Sequence, residues 1–246
     1  MQLKSKTPAR AITSPAIKFV AKVEPVKEVT LHGSGDLAFW QDRLAAESLQ
    51  PLPREGRAQL FISATEARFM GLTFRECIIG IQVVRASHAN SGDGAMFLLH
   101  AWNSLRAFAW IERNLFNTPY YPGQIVVDPT APARLQLSES GVEVIAANIG
   151  TTRQPTEIAE EAWQGPIYLP TSNGGAQKLF IARLSGQTEH FPFHAAEDQF
   201  LLQPAATCPV IRQLSESHFT PNAWHIRQAA AHAKSKTYRV SDFLRA

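Results

Sequence analysis

Apolar and polar positions alternate in short runs along most of this chain, and only a few segments carry the three-to-four-residue spacing of a helix. Gln59 to Ser63, Cys77 to Val84, Ala95 to His100, Ile125 to Asp128, Arg134 to Leu137 and Val142 to Ala146 are rich in β-branched and apolar residues and predict strands. Arg134-Leu135-Gln136-Leu137-Ser138 alternates as a half-buried strand does. Asn90-Ser91-Gly92-Asp93-Gly94 and Ser138-Glu139-Ser140-Gly141 are turn clusters of the hairpin kind. Later, Tyr168, Leu179 to Leu184 and Gln199 to Leu202 predict further strands around the turn Ser172-Asn173-Gly174-Gly175.

Helical spacing appears in fewer places. Ser34-Gly35-Asp36 offers an N-cap ahead of Leu37, Trp40 and Leu44, and Pro51 and Pro53 close that segment. Asn103-Ser104 caps a second helix with Leu105, Phe108, Ala109, Leu115 and Phe116 on one face, ending before Pro119. Trp102 and Trp110, eight apart, fall near one stripe of it and read as core or interface. Pro155 to Trp163 is short and acidic, and a last helix is expected from the Asn222 cap through the alanine-rich Gln228 to Ala233. A few helices among many strands give an α+β fold: a mainly antiparallel, barrel-like sheet flanked by helices. No repeat of solenoid or propeller period is present.

With 246 residues the chain supports one sizeable core, read as a single domain over residues 30–246 behind a basic arm over residues 1–29. Lys4, Lys6, Arg10, Lys18, Lys22 and Lys27 mark that arm, and Pro8, Pro15 and Pro25 argue against a helix in it. Arg227, Lys234, Lys236 and Arg239 give the other end a similar bias, and both read as solvated termini. A net charge of +3 and basic runs without interleaved aromatic residues exclude nucleic acid as the expected partner. Cys77 and Cys208 form no C-x-x-C pair, so a reducing, cytoplasmic setting is expected, without a zinc or redox motif. No run of eighteen apolar residues predicts a membrane span, and the first thirty residues hold no apolar signal core.

The stretch from Leu98 to Gly150, opening LLHAWNSLRAFAWIERNLFNTPYYPGQIVVD, is similar to the central region of acetoacetate decarboxylases. It runs through a strand, a helix with a Glu112-Arg113-Asn114-Leu115 ending, Pro119, two reactive-site positions and hairpin strands. Gly71 to Glu76 resembles the family's loop and its glutamate. Tyr168-Leu169-Pro170, Asn173-Gly174, Lys178, Pro209-Val210 and Ser215-Glu216-Ser217-His218 resemble its closing segments, so the likeness spans most of residues 33–230. The resemblance implies the family's fold and a homo-oligomer, with no metal or organic cofactor.

In that family the position after the proline is a lysine that forms an imine with the β-keto acid, beside a second lysine that lowers its pKa. Here those positions are Tyr120 and Tyr121, and a phenol cannot condense with a ketone. A second family carboxylate falls near Phe61, and an early arginine falls around Gly33 to Gly35. Of the chemical set only Glu76 matches, so this sequence resembles superfamily branches without the lysine.

A carboxylate inside an apolar barrel has its pKa raised, and a nearby phenol can donate to a carbonyl or enolate oxygen. Glu76, Tyr120 and Tyr121 are therefore the catalytic candidates for acid/base work on a small carbonyl compound. His100, at a strand end beside the second helix, and Arg113 are the substrate-binding candidates. The plainer reading has Glu76 paired with Arg75 or Arg113, the tyrosines as packing residues and His100 as a hydrogen-bonded core residue. Two more functions are compatible with these residues: an enzyme whose lysine comes from elsewhere, such as Lys178, and a non-catalytic ligand-binding or structural oligomer.

Three further patterns carry less. Glu189-His190 with His194, Glu197 and Asp198 has ligand-type residues, but Pro192 breaks the helix that would align them, leaving a polar loop. Ser217 and His218, if on a strand, face opposite ways and cannot be catalytic partners. Cys77 should face away from Glu76 for the same reason, and Gly33-Ser34-Gly35 lacks dinucleotide-fold spacing.

Overall fold

The computed structural model describes residues 17–85, 94–171, 175–203 and 208–243. The turn clusters at 90–94 and 172–175 lie almost wholly outside these residues, as does the basic segment before residue 17. Strand β1 (Phe19–Asp36) runs straight into helix α1 (Leu37–Ala45), whose cap Asp36 accepts the Phe39 N–H at 2.7 Å. Short strands β2 (Leu49–Pro51) and β3 (Pro53–Arg54) precede β4 (Arg57–Phe69), β5 (Leu72–Arg85) and β6 (Ala95–Asn103). Helix α2 (Arg106–Leu115) leads into β7 (Tyr120–Pro122), β8 (Gln124–Asp128), β9 (Arg134–Glu139) and β10 (Val142–Asn148). After β11 (Glu157–Leu169), β12 (Lys178–Pro192) and β13 (Gln199–Leu202) come α3 (Pro209–Glu216), β14 (Thr220–Ser235), β15 (Tyr238–Arg239) and α4 (Val240–Phe243). The β9–β10 hairpin turns on Ser140 and Gly141, both at positive φ, which matches the right-handed twist of its strands.

Strands β5, β4, β1, β14, β12, β11 and β6 pair in that order, and β6 pairs again with β5, so the sheet closes into a ring. Its joints are antiparallel except β6–β11, and β7 adds to β6 in parallel. A second, four-stranded sheet runs in the order β13-β10-β9-β8. The outer wall of the ring is apolar. Val29, Leu31, Ile62, Ile79, Trp224 and Ile226 are buried there and cluster with Leu135, Leu137 and Val144 of the second sheet and Trp40 of α1.

The inner wall is mixed. Successive strand residues face opposite sides, so Glu28, Thr30, His32, Ser63, Glu76, His225 and Arg227 turn away from that core. Lys234 of β14 stands over the rings of Tyr120 on β7 and Phe180 on β12. Contacts between strands so far apart in the order identify this face as the concave one. Helix α2 lies across one end: Phe108 meets Phe74 edge-on at 5.4 Å, in a cluster with Val26, Ala67 and Ala230.

Several expectations change. The predicted last helix is strand β14, the hub of the ring, paired along sixteen residues with β1 on one side and β12 on the other. Alanine's helical preference is weak beside the hydrogen bonds two long neighbours would otherwise lack. The arm read through residue 29 joins the sheet at Phe19. Trp102 belongs to β6 and is fully buried, while Trp110 on α2 is exposed. Ser217 and His218 end helix α3, where Ser217 Oγ donates back to the Leu214 carbonyl. The acidic stretch Pro155 to Trp163 enters β11 at Glu157.

Arg227 and Lys234, read as part of a solvated terminus, both point into the ring. They are seven residues apart, which in a regular strand places them on opposite faces. A β-bulge between them changes the register on β14, where Ser185 pairs near Ala231 but Glu189 pairs with Ile226. Inside, Arg227 Nη1 donates to Glu28 Oε1 at 2.8 Å, Nη2 to Glu161 Oε2 at 2.7 Å and Nε to Thr188 Oγ1 at 2.7 Å. Glu28 also lies 3.0 Å from His232 Nε2 and 2.8 Å from the Thr30 hydroxyl. Burial alone would push the Glu28 carboxyl up, but His232, Arg227 and Thr30 outweigh it and hold the group at about 2. Arg227→Met leaves that carboxylate without its buried counter-charge and is expected to cost about 3–5 kcal/mol in chemical denaturation. The added change Glu28→Gln should recover part of it, and additive losses would show that the pair is not coupled.

Candidate functional site

Alternation along three strands divides the predicted site residues between two faces. Glu76 on β5 lies opposite Asn103 on β6, and Ala101 on β6 lies opposite Tyr120 on β7, all on the inner wall. Tyr121 is one residue on and therefore faces outward, paired with Trp102. His100, two residues before Trp102 and paired with outward-facing Ile79, is on the outer side as well. The five expected residues are two groups, Glu76 with Tyr120 inside and Tyr121 with His100 and Arg113 outside.

Asn103 orients the inner group. Its Oδ1 accepts the Leu105 N–H at 2.8 Å, the first free donor ahead of α2, so its amide nitrogen must point the other way. Nδ2 donates to Glu76 Oε1 at 3.0 Å. The expected helix cap is thus not one: the N-cap of α2 is Leu105, without a side-chain cap bond, and Asn103, two residues earlier, closes a turn and clamps the glutamate. Neither Arg75 nor Arg113 pairs with Glu76: Arg75 binds Glu66 at 2.7 Å, and Arg113 lies over the Tyr121 ring at 5.2 Å.

The Tyr120 phenol is hydrogen-bonded to Glu76 and is kept protonated, its pKa pushed well up by burial and by the charges of Glu76 and Glu112. Lys234 completes the cluster. Its ammonium binds Glu112 Oε2 and sits among three aromatic rings, 4.7 Å from the Phe180 centroid, 5.1 Å from Phe116 and 5.8 Å from Tyr120. Glu112, the acid of the Glu-Arg-x-Leu segment, also accepts from Thr118 Oγ1 at 2.8 Å. Around them Leu98, Ala101, Leu169 and Phe180 form an apolar lining.

Burial raises the Glu76 carboxyl, and the negative charge of Glu112 raises it further. Lys234 and the hydrogen bonds from Asn103 and Tyr120 offset part of this, leaving the group at about 7. A carboxyl balanced between its two forms near neutrality can both take and give a proton. Lys234, Glu112 and Asn103 were not among the expected site residues. The available signal was a charged side chain inside an alanine run, His232-Ala233-Lys234, which the helical reading of that run concealed.

Further along the inner wall, His225 lies between His32 and His190, with ring centroids 4.2 and 4.3 Å away. Burial lowers His32 to about 3 and His225 to about 4, so both rings are neutral. His190 Nε2 is 3.2 Å from Glu161 Oε1. His194, by contrast, lies in a polar corner organised by Asp198, which accepts from the backbone of Gly150 and His194, from Arg153 and from the Trp224 indole. The two histidines of that segment therefore do not share a site.

On the outer face, Tyr121 stacks on His100 at 4.8 Å with the rings 4° from parallel. Both line a cleft of about 310 Å³ together with Pro122, Glu139, Ser140, Cys208 and Pro209. Cys77, beside Glu76 in sequence, faces this outer side, and burial pushes its thiol up to about 12.

No protein-family model matches the sequence. No curated protein matches it either. Solved structures match along nearly the whole chain. An acetoacetate decarboxylase-like enzyme from Sphingomonas wittichii RW1 has a TM-score of 0.60 at 12% identity, covering 95% of this chain and 99% of its own. The acetoacetate decarboxylase of Legionella pneumophila has a TM-score of 0.60 at 13% identity, covering 95% and 92%. The enduracididine biosynthesis enzyme MppR, complexed with the condensation product of pyruvate and imidazole 4-carboxaldehyde, has a TM-score of 0.60 at 12% identity, covering 89% and 88%. At these identities the likeness is one of fold, the acetoacetate decarboxylase-like fold.

The raised Glu76 has a thermodynamic signature. Its folded-state pKa of about 7 exceeds the ordinary 4.5, so the folded form holds this proton more tightly than the unfolded chain. The resulting stability is fully present below pH 4.5 and is lost as pH rises through about 7. Glu76→Gln should flatten that part of the stability profile in urea unfolding at a series of pH values. An unchanged slope would show that Glu76 titrates normally.

Proposed function

We propose that this acetoacetate decarboxylase-like chain is an enzyme that moves a proton next to the carbonyl of a small metabolite, without forming an imine. The coupling of Glu76 at about 7 with the protonated Tyr120 phenol carries this reading. With a carbonyl oxygen facing Tyr120, ionised Glu76 takes the proton from the adjacent carbon. The electron pair moves to the oxygen, which accepts the phenol hydrogen bond as an enolate beside the Lys234 ammonium. Glu76 then returns the proton to carbon or to the enolate oxygen, and the protein ends unchanged.

Two observations favour proton transfer over imine chemistry. The positions after Pro119 are tyrosines. The lysine that does reach the cluster, Lys234 and not Lys178, is ion-paired with Glu112, and an ammonium has no lone pair with which to attack a ketone. Acetoacetate decarboxylation is therefore not the proposed reaction. The MppR complex carrying a pyruvate condensation product supports a carbonyl-bearing substrate class. Tyr121, His100 and Arg113 stand on the other face and take no part in this step. A homo-oligomer and a cytoplasmic setting complete the proposal. Among the described residues, no helix is long and apolar enough to cross a membrane.

Solvent-deuterium exchange into pyruvate and other keto acids, followed by NMR, tests the step. Wild-type protein should exchange the proton next to the carbonyl, and Glu76→Gln should lower the rate by about 10²–10⁴-fold. Tyr120→Phe should lower it by about 10²–10³-fold. Borohydride added to the same incubations should leave the intact mass unchanged, and an adduct mapped to Lys234 would replace proton transfer with imine catalysis. Exchange at the background rate in every substrate would leave a non-catalytic binding or structural oligomer.

A further inference from the structure

The outer-face cleft contains a second constellation that proton transfer at Glu76 does not use. His100 comes from β6, Glu139 from the end of β9, and Cys208 from the position before α3, separated by 39 and 69 residues. One ligand-type atom from each converges so that all three lie within 4.8 Å of one another, and among the described residues this is the only such group of His, Cys, Asp or Glu. We infer that His100, Glu139 and Cys208 form a zinc site with an open coordination position facing the cleft.

The surroundings orient these donors as an outer shell does in metal sites. The Trp102 indole donates to Glu139 Oε1 at 2.6 Å, and the Tyr121 ring lies flat against the His100 imidazole. Cys208 is buried immediately before Pro209, the first residue of α3, with the Val210 and Ile211 backbone N–H groups directed at its sulfur. That helix end favours a thiolate. The Cys208 thiol is hydrogen-bonded to the Glu139 carboxylate, so two of the three donors already touch. On binding, the S–H bond breaks, the proton passes to buffer and the metal–sulfur bond forms.

The donor set selects the ion. Calcium and magnesium take oxygen ligands, whereas one nitrogen, one sulfur and one oxygen suit borderline-soft zinc. Three protein ligands leave the fourth position to water or to a ligand in the cleft of about 310 Å³. The sequence concealed this site because zinc motifs are recognised by short spacings, and these ligands meet only once the second sheet and α3 pack on the ring.

The test uses the full chain without an affinity tag, stripped of metal and titrated with cobalt(II). One equivalent should bind with a thiolate-to-cobalt absorption band, and one equivalent of zinc should displace it. Cys208→Ser should abolish the band while leaving the circular dichroism spectrum unchanged. His100→Ala should weaken zinc by more than the ~10–100-fold that outer-shell changes cost, and it carries the test if the serine variant fails to fold. His194→Asn, in the polar corner, should leave binding unchanged. Absence of stoichiometric binding, or binding that survives both site variants or is lost only in His194→Asn, would overturn the assignment.

Discussion

Closing the sheet is the constraint on which the rest of this structure depends. Once β6 pairs with both β5 and β11, every strand of the ring has one face turned toward its axis. Side chains there can reach partners on strands far away in the sheet order. Arg227 of β14 binds Glu161 of β11, and Lys234 of β14 stands over the Tyr120 ring of β7. In an open sheet these groups would face solvent. The ring also removes most free sheet edges.

The same enclosure treats two glutamates oppositely. Glu28 and Glu76 are both surrounded by protein, and for both the cost of burial pushes the carboxyl up. Glu28 overcomes it because His232 and Arg227 bond to it directly, whereas Glu76 receives bonds only from an amide and a phenol while the nearest cation is committed to Glu112. One carboxylate is thereby fixed as an anion that holds strands together. The other is left with a movable proton, the usual mark of a division between structural and chemical roles.

Much of the fold was legible because strand alternation and turn chemistry are local. Asp36 capped α1 as its position suggested, and the six early runs from Gln59 to Ala146 all fall within strands. The misreading of β14 has a physical cause, since its alanines score as helical and only the neighbours on either side determine its conformation. Lys234 and Arg227 were concealed by that error. Glu76 could be singled out by resemblance, but its clamp Asn103 could not, since an asparagine ahead of a helical run reads as a cap, and here it closes a turn instead and turns its amide nitrogen to Glu76. The separation of Tyr120 from Tyr121 follows from strand geometry that the sequence at Pro119 to Pro122 does not announce.

The bulge in β14 means that this strand is read in two frames. His225 and Arg227 face the axis in the first, Ala230, His232 and Lys234 in the second, and Gln228 and Ala229 together occupy the step between them. Losing one of those two residues would restore a single frame and turn one half of the strand inside out. Either the charge that neutralises Glu28 or the ammonium that faces Tyr120 would then be expelled to the outer wall. The length of this inconspicuous segment, more than the identity of any residue in it, is what keeps the structural cation and the chemical cation in one interior.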